Sequence, residues 1–472
     1  VIRLSILGPV WDRLSTQFAS NMDTEEGGFL LARATATPEG LRVVIDGDVP
    51  FPAAEKWRLQ NSGQLAPTTA YMSLTAGVAN QRKRIPAFVH THPFGPAHFS
   101  PVDEWAFEAW APFFEENCDS GAFIAIVVAG DTLIADMWVG ADRKPFQSVT
   151  CGGSRPRLSF RLRPGTQESE ETDRQRRLWK DHGQSVLRQA RIGIVGVGGT
   201  GSACAFQLAR TDVGEMVLFD PQSTDISNLN RLYGLTKSQA ARGIPKVSVV
   251  GNRVRQISST RVVQHRASIL KKEAISSLLD CDVIIGCTDS QSARAVLNQI
   301  PTSYGVPVID VGCRAESHEG EVLSMWADVR RLESGGPCLW CMGAIDSESV
   351  ALEGLPPQTR EQGEKDGYYR GVGIEPSTVT MTTSGATLAV SQVLARVLNQ
   401  DSPWPHQFLF DIWSGTSHIP TIEKRPNCIC SGSRWSISMV APIELARAFN
   451  RTSAAHAAPI SSRIRGQNSV KA

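Results

Sequence analysis

Short apolar runs punctuate the first 150 residues, at 29–32, 41–45, 87–90 and 123–128. Each is rich in β-branched or aromatic residues and bounded by Gly, Pro or Asp, which predicts strands. Between them, 68–84 and 102–117 carry helical periodicity, the second opened by Pro101 and Asp103 as first-turn residues. The pattern predicts an α+β or α/β unit over 1–150. It then lapses. Gly152-Gly153-Ser154-Arg155-Pro156 and the charged run from Glu168 to Asp173 predict a linker over 151–173. An amphipathic stretch at 174–191 leads into apolar runs at 192–195, 216–219, 262–263, 283–285 and 306–310, separated by helical patterns. That order predicts a doubly wound α/β sheet in a unit spanning 174–440. The extension at 441–472 becomes Ala-, Ser- and Arg-rich from about Thr452, and reads as partly disordered.

Composition narrows the function classes. With 48 Lys+Arg against 47 Asp+Glu, the net charge of +1 lacks the basic excess of a dedicated nucleic-acid binder. No apolar run approaches the length of a membrane span, and the first residues lack the pattern of a secretory signal. The expectation is a cytoplasmic protein that acts on neither nucleic acid nor membrane.

The first chemical signal is His90-Thr91-His92-Pro93 with Ser100 and Asp103 downstream. Histidines at i and i+2 on a strand end project to one face, and a carboxylate on the next helix can join them. Three such ligands leave a fourth position open, the layout of a catalytic zinc site. Glu25, just before an apolar strand, is placed to act as general base, with Glu26 its neighbour and competitor. A lone His-x-His reads more simply as two strand histidines; five fixed positions and a candidate base argue for chemistry. This pattern resembles the JAMM/MPN (JAB) metalloproteases. The resemblance implies an α+β, cytidine-deaminase-like fold and zinc bound by His90, His92 and Asp103. It also implies water activation by Glu25, oxyanion stabilisation by Ser100, and cleavage after the C-terminus of a ubiquitin-like protein.

The second signal is Gly196-Val197-Gly198-Gly199-Thr200-Gly201, directly after a strand. Such a loop brings backbone N–H groups and a helix N-terminus to phosphates, but any dinucleotide-binding domain has one. Asp220, at the end of the next strand, fits a ribose partner in either case. Ser227-Asn228-Leu229-Asn230-Arg231, Ile244-Pro245-Lys246 and Gly286-Cys287-Thr288-Asp289 break the tie. In this order they resemble the ThiF/MoeB and ubiquitin-activating family, over roughly 173–431. The resemblance implies a Rossmann-like adenylation fold, with ATP and Mg²⁺ as cofactors. Arg231 and Lys246 would hold phosphates, Asn228 would orient them, Asp289 would hold Mg²⁺ and Asp220 the ribose. Gly196, Gly198, Gly199 and Gly201 would form the phosphate loop. Arg174 matches an arginine that reaches a partner subunit's site, which implies a homodimer.

Cys338-Leu339-Trp340-Cys341 and Cys428-Ile429-Cys430 pair the cysteines as a closed structural Zn²⁺ site would. The second pair departs from the family's Cys-x-x-Cys spacing. Between Met342 and Asn427 no cysteine stands where a thioester acceptor is expected, leaving Cys313 or a hydroxyl such as Ser377 as candidates. The combined expectation is a bifunctional prokaryotic (bacterial) enzyme. It would process or remove a small β-grasp ubiquitin-like protein and adenylate its C-terminus for conjugation, with a conjugating-enzyme-like protein as a further partner. Antiviral defence is one setting that would suit it. The alternatives are sulfur-carrier activation for thiamine- or molybdopterin-type cofactors, or a non-catalytic scaffold.

Overall fold

A computed structural model describes residues 1–162, 170–356, 358–360, 362, 376–400 and 404–431, leaving aside the side chain of Lys272. The expected extension over 441–472, residues 432–440 and Glu168 of the charged run lie outside the described residues. No helix among the described residues is long and apolar enough to cross a membrane.

The first sheet contains β1 (Ile2–Ile6), β2 (Gly27–Thr37), β3 (Gly40–Asp48), β6 (Ile85–Thr91), β7 (Ala122–Ala129), β8 (Thr132–Val139), β9 (Asp142–Pro145), β10 (Ser148–Cys151) and β11 (Arg157–Phe160). A separate hairpin pairs β4 (Trp57–Gln60) with β5 (Leu65–Pro67). The spatial order is β11-β10-β1-β3-β2-β6-β7-β8-β9. Helix Gly8–Ser20 covers one face through Val10, Trp11 and Leu14. Helices Thr69–Arg82 and Pro101–Asn117 cover the other through Tyr71, Phe107 and Phe114, which pack on Phe29, Phe88 and Phe123. The linker expectation is corrected here. Arg157–Phe160 is strand β11, paired antiparallel with β10, so this sheet continues to Phe160. Gly152, Gly153 and Pro156 belong to the connection between β10 and β11 within the sheet; they do not end the unit.

The second sheet holds β12 (Arg191–Val195), β13 (Glu215–Phe219), β14 (Arg261–His265), β15 (Val283–Gly286), β16 (Val308–His318), β17 (Glu321–Leu332), β18 (Gln407–Asp411) and β19 (Thr416–His418). Its order, β14-β13-β12-β15-β16-β17-β18-β19, is parallel as far as β16 and antiparallel beyond. The chain leaves β12 towards β13 and β14, then returns to the other side at β15. The carboxyl ends of β12 and β15 therefore flank a topological switch point, where open α/β sheets place ligands.

The two sheets meet through buried charge. Asp282, before β15, accepts from Arg3 Nε at 3.2 Å, Ser148 Oγ at 2.7 Å and the Arg191 backbone N–H at 3.0 Å. Arg42 is wholly buried and donates to the carbonyls of Leu279 at 2.8 Å and Cys281 at 2.6 Å. Asp280 accepts from Thr37 Oγ1 at 2.5 Å and the Glu39 N–H at 3.0 Å. Removing one partner of such a set leaves charge stranded in the interior. Asp282→Ala is expected to cost about 3–5 kcal/mol and to lower the denaturation midpoint of both units together. Two separated unfolding steps, with only one shifted, would contradict this coupling.

Candidate functional site

In the first sheet, β6 ends in His90 and His92, and helix Pro101–Asn117 brings Asp103 across to them. His90 Nε2 lies 3.0 Å from Asp103 Oδ1, His92 Nε2 lies 3.1 Å from Asp103 Oδ2, and the two Nε2 atoms are 3.1 Å apart. A tetrahedral ion with zinc-like bonds of about 2.0–2.1 Å separates its ligands by about 3.3–3.4 Å, so this donor set suits one small cation. Two facing imidazole nitrogens offer at most one proton to each other, and a cation satisfies both lone pairs.

Glu25 is buried at 3% exposure, and its Oε2 has no hydrogen-bond partner. Burial pushes its carboxyl up to about 7, with His92 pulling it down and Asp103 pushing it up. Glu26 points elsewhere. Its carboxylate accepts from Gln17 and Gln60 Nε2, each at 2.9 Å, and from Asn21 Nδ2 at 3.1 Å. Geometry thus separates the two adjacent glutamates: one waits unpaired, the other secures the loop.

Ser100 has a clear structural task. Its Oγ accepts from the Asp103 N–H at 3.2 Å, and its own N–H donates to Asp103 Oδ2 at 2.7 Å, a capping box. This orients the Asp103 carboxylate.

In the second sheet, Gly196 follows β12 with φ +85°, and a side chain there would collide with the Cys287 carbonyl at 2.4 Å. A Cβ on Gly201 would meet the Gly196 carbonyl at 1.9 Å, so the loop folds tightly back. A Cβ at Gly198, by contrast, meets nothing within 4 Å, because this turn opens outward. It caps helix Gly199–Arg210, whose free N–H groups face the same opening. One at Gly199 would sit 3.2 Å from Arg231 Cγ, which places the arginine stem over the loop.

Asp220 directly follows β13 and is buried. Its Oδ2 accepts from the Val197 N–H and its Oδ1 from the Gln222 N–H, both at 2.8 Å. Each oxygen keeps a second lone pair. Gln222 in turn accepts from Lys246 Nζ at 2.6 Å, so it ties Lys246, at the start of helix Lys246–Ile257, to Asp220. Sequence reasoning missed Gln222; it sits in a polar loop without a distinguishing spacing. Asn228 is turned inward, its Oδ1 accepting from the Asp225 N–H at 3.4 Å in a capping box. It therefore shapes the turn that carries Arg231, whose Nη1 donates to Ser227 O and Asn230 Oδ1 at 2.8 Å each. Asp289 is exposed after β15, beside Thr288, whose N lies 3.2 Å from a Cβ built on Gly196. Glycine loop, Asp220, Arg231, Lys246 and Asp289 thus surround the switch point. Arg174 is exposed on helix Asp173–Leu187.

Cys313 does not resemble an activated thiol. Burial pushes it up to about 11, although the Thr200 hydroxyl, 3.9 Å away, pulls it down. Thr378 caps helix Val379–Val397 by accepting from the Met381 N–H at 3.4 Å, and Tyr233 and Thr383 share a 2.8 Å hydrogen bond. These hydroxyls serve the helix. Ser377 is linked to the arginine turn through its carbonyl, which accepts from Asn230 Nδ2 at 3.4 Å.

The four expected cysteines converge. Their sulfurs are 3.9 Å apart for Cys338–Cys341, 3.4 Å for Cys338–Cys428 and 3.6 Å for Cys341–Cys430. Zinc–thiolate bonds of about 2.3 Å imply edges of about 3.8 Å, so the set fits a closed tetrahedral site, Cys-x-Cys spacing included. The Arg425 N–H donates to Cys341 Sγ at 3.4 Å, an outer hydrogen bond of the kind that steadies thiolates. Cys428→Ser is expected to drop zinc content by one equivalent and lower the Tm by roughly 4 °C or more, read by metal analysis and calorimetry. Unchanged metal content would remove the quartet from consideration.

A family model described as the ThiF family matches residues 172–431, more than half of the chain. The chain belongs to the ThiF family. Among curated relatives, "Adenylyltransferase and sulfurtransferase uba4" of Aspergillus terreus is 32% identical over 258 residues, 53% of this chain and 49% of that protein. The protein of the same name from Aspergillus fumigatus (strain CBS 144.89) is 28% identical over 256 residues, 53% and 48% of the two chains. "Ubiquitin-like modifier-activating enzyme 5" of Oryza sativa subsp. japonica is 24% identical over 256 residues, 52% and 56%. The chain spans about half the length of the curated relatives it matches. A crystal structure of E. coli MccB with ATP covers 86% of this chain and all of its own, at 13% identity and a TM-score of 0.45. The relatives named first are fungal, and the match to the family model begins at residue 172, outside the first sheet.

Proposed function

We propose that the ThiF unit adenylates the C-terminal carboxylate of a small β-grasp, ubiquitin-like protein. The observation that carries this reading is the gathering of the glycine loop, Asp220, Arg231, Lys246 and Asp289 around one switch point. In that reaction a carboxylate oxygen bonds to the α-phosphorus of ATP, the bond to the bridging oxygen breaks, and pyrophosphate leaves. ATP brings about four negative charges, so positioning and charge neutralisation dominate the barrier. The loop's N–H groups and the N-terminus of helix Gly199–Arg210 receive phosphate oxygens, and Arg231 and Lys246 oppose the charge that moves to the leaving group. Asp220 accepts from ribose hydroxyls through its spare lone pairs. Asp289 offers a hard, exposed oxygen donor of the kind Mg²⁺ takes alongside phosphates. Arg174 would complete the site of a partner subunit in a homodimer.

The names of the relatives favour the sulfur-carrier route over conjugation, because adenylation and sulfur transfer stand together in several of them. Intact-mass spectrometry of the partner after incubation with Mg·ATP distinguishes the outcomes. An acyl-adenylate supports the reading, a thiocarboxylate formed with a sulfur donor supports the sulfur route, and an unmodified partner counts against both.

A second activity in the first sheet is favoured by one observation: an unpaired buried Glu25 beside a preformed His90–His92–Asp103 set. A zinc ion held there would supply Lewis-acid chemistry for hydrolysis of a peptide or isopeptide bond. Glu25 would take and return a proton at Oε2, and the capping box would keep Asp103 aimed. Its positive charge would also draw the Glu25 carboxyl below the value burial alone imposes. The chain would then trim or release the same protein whose terminus it activates.

A further inference from the structure

Helix Ser347–Glu353 ends with a carboxylate seated on the start of another helix. Glu353 Oε2 accepts from Ser290 Oγ at 2.7 Å and the Ser292 N–H at 2.9 Å, and its Oε1 from the Gln291 N–H at 2.8 Å. Those three donors open helix Gln291–Tyr304, one residue beyond Asp289. Ser290 also caps this helix by accepting from the Ala293 N–H at 3.1 Å, while its own N–H donates to Thr288 Oγ1 at 3.2 Å. The backbone on the carboxyl side of Asp289 is therefore fixed by bonds that converge on Glu353. Two further contacts fasten the same helix to the segment carrying the first cysteine pair. The Leu339 N–H donates to buried Asn298 Oδ1 at 2.7 Å, and the Asp346 N–H to Gln291 Oε1 at 3.2 Å.

We propose that Glu353 is a positioning residue that holds the Thr288–Ser290 turn so that Asp289 meets Mg²⁺ in a fixed geometry, and that the segment from Cys338 to Glu353 acts as its brace. The proposal rests on the adenylation reading. Glu353 neutralises the helix N-terminus and clamps Ser290. Partners at this remove from a metal commonly change its affinity by about 10- to 100-fold. Glu353→Gln keeps the shape of the side chain and loses the charge.

The test is equilibrium binding of ATP to the full chain, with Mg²⁺ and with chelator. Glu353→Gln should bind ATP without Mg²⁺ as the wild type does, yet lose about tenfold of the affinity that Mg²⁺ adds. Glu353→Asp, which retains the charge, should recover most of that gain. An unchanged gain in Glu353→Gln overturns the proposal. An equal loss of affinity with and without Mg²⁺ also overturns it, since that marks a merely structural residue. If the wild-type chain binds no ATP under either condition, the adenylation reading fails first and the proposal falls with it.

Discussion

Lys246→Ala should reduce ATP–pyrophosphate exchange by about 10²–10³-fold while leaving the fold intact. The lysine begins helix Lys246–Ile257, and its ammonium is aimed by Gln222, which is itself bonded to Asp220. That chain of bonds presets a cation at the rim of the glycine loop before any nucleotide arrives. If adenylation runs as proposed, negative charge would build on the leaving pyrophosphate near this cation, so its loss would raise the barrier more than it weakens ground-state binding. Lys246→Arg should recover only part of the rate, since a planar guanidinium cannot replace a compact ammonium at one site. The measurement is exchange at saturating ATP beside a thermal unfolding curve. Equal rates for wild type and Lys246→Ala would remove Lys246 from the chemistry.

If the first unit is the proposed zinc hydrolase, Glu25→Gln is expected to lower peptide-bond cleavage by about 10²–10⁴-fold without changing the metal content. The glutamine occupies the same buried space but cannot accept a proton at the orphaned Oε2. His92→Ala should lose metal and activity together, because its Nε2 is one of the three converging donors. The useful contrast is between the two variants: one inactive with metal, the other inactive without it. A β-grasp protein extended past its terminal glycine is the substrate to assay, by mass spectrometry. Cleavage at wild-type rate by Glu25→Gln would dismiss the hydrolytic reading, as would a metal-free first unit in the wild type.

Much of this was legible in the sequence, and the exceptions share a cause. Runs at 41–45, 87–90 and 123–128 lie within β3, β6 and β7, since fully buried strands announce themselves as unbroken apolar stretches. β1 did not. Its Arg3 and Ser5 interrupt the apolar pattern, and both are buried against Asp282 and Arg42 at the junction of the sheets. Polar residues paired across a distant contact carry no local periodic signal. The long β16–β17 hairpin was also only partly foreseen, because the outer part of β16, Arg314–His318, is mostly polar and exposed.

Site residues divide in a similar way. Motif spacing brought out His90, His92, Asp103 and the cysteine quartet, each set now within 4.8 Å. Spacing to the strand that follows favoured Glu25 and left Glu26 as a competitor; tertiary hydrogen bonding separates the two. Spacing could not find Gln222 or Glu353, whose roles arise from what they hold in place. Asn228 and Ser100, expected at the chemistry, also cap the elements that would deliver it.

The decisive measurement is ATP–pyrophosphate exchange by the full chain with a small β-grasp protein from the same genome. Exchange should require Mg²⁺ and the free C-terminal carboxylate of that protein, and vanish when the carboxylate is amidated. Exchange that proceeds equally without the partner, or is unaffected by amidation, would contradict activation of a protein C-terminus at this site.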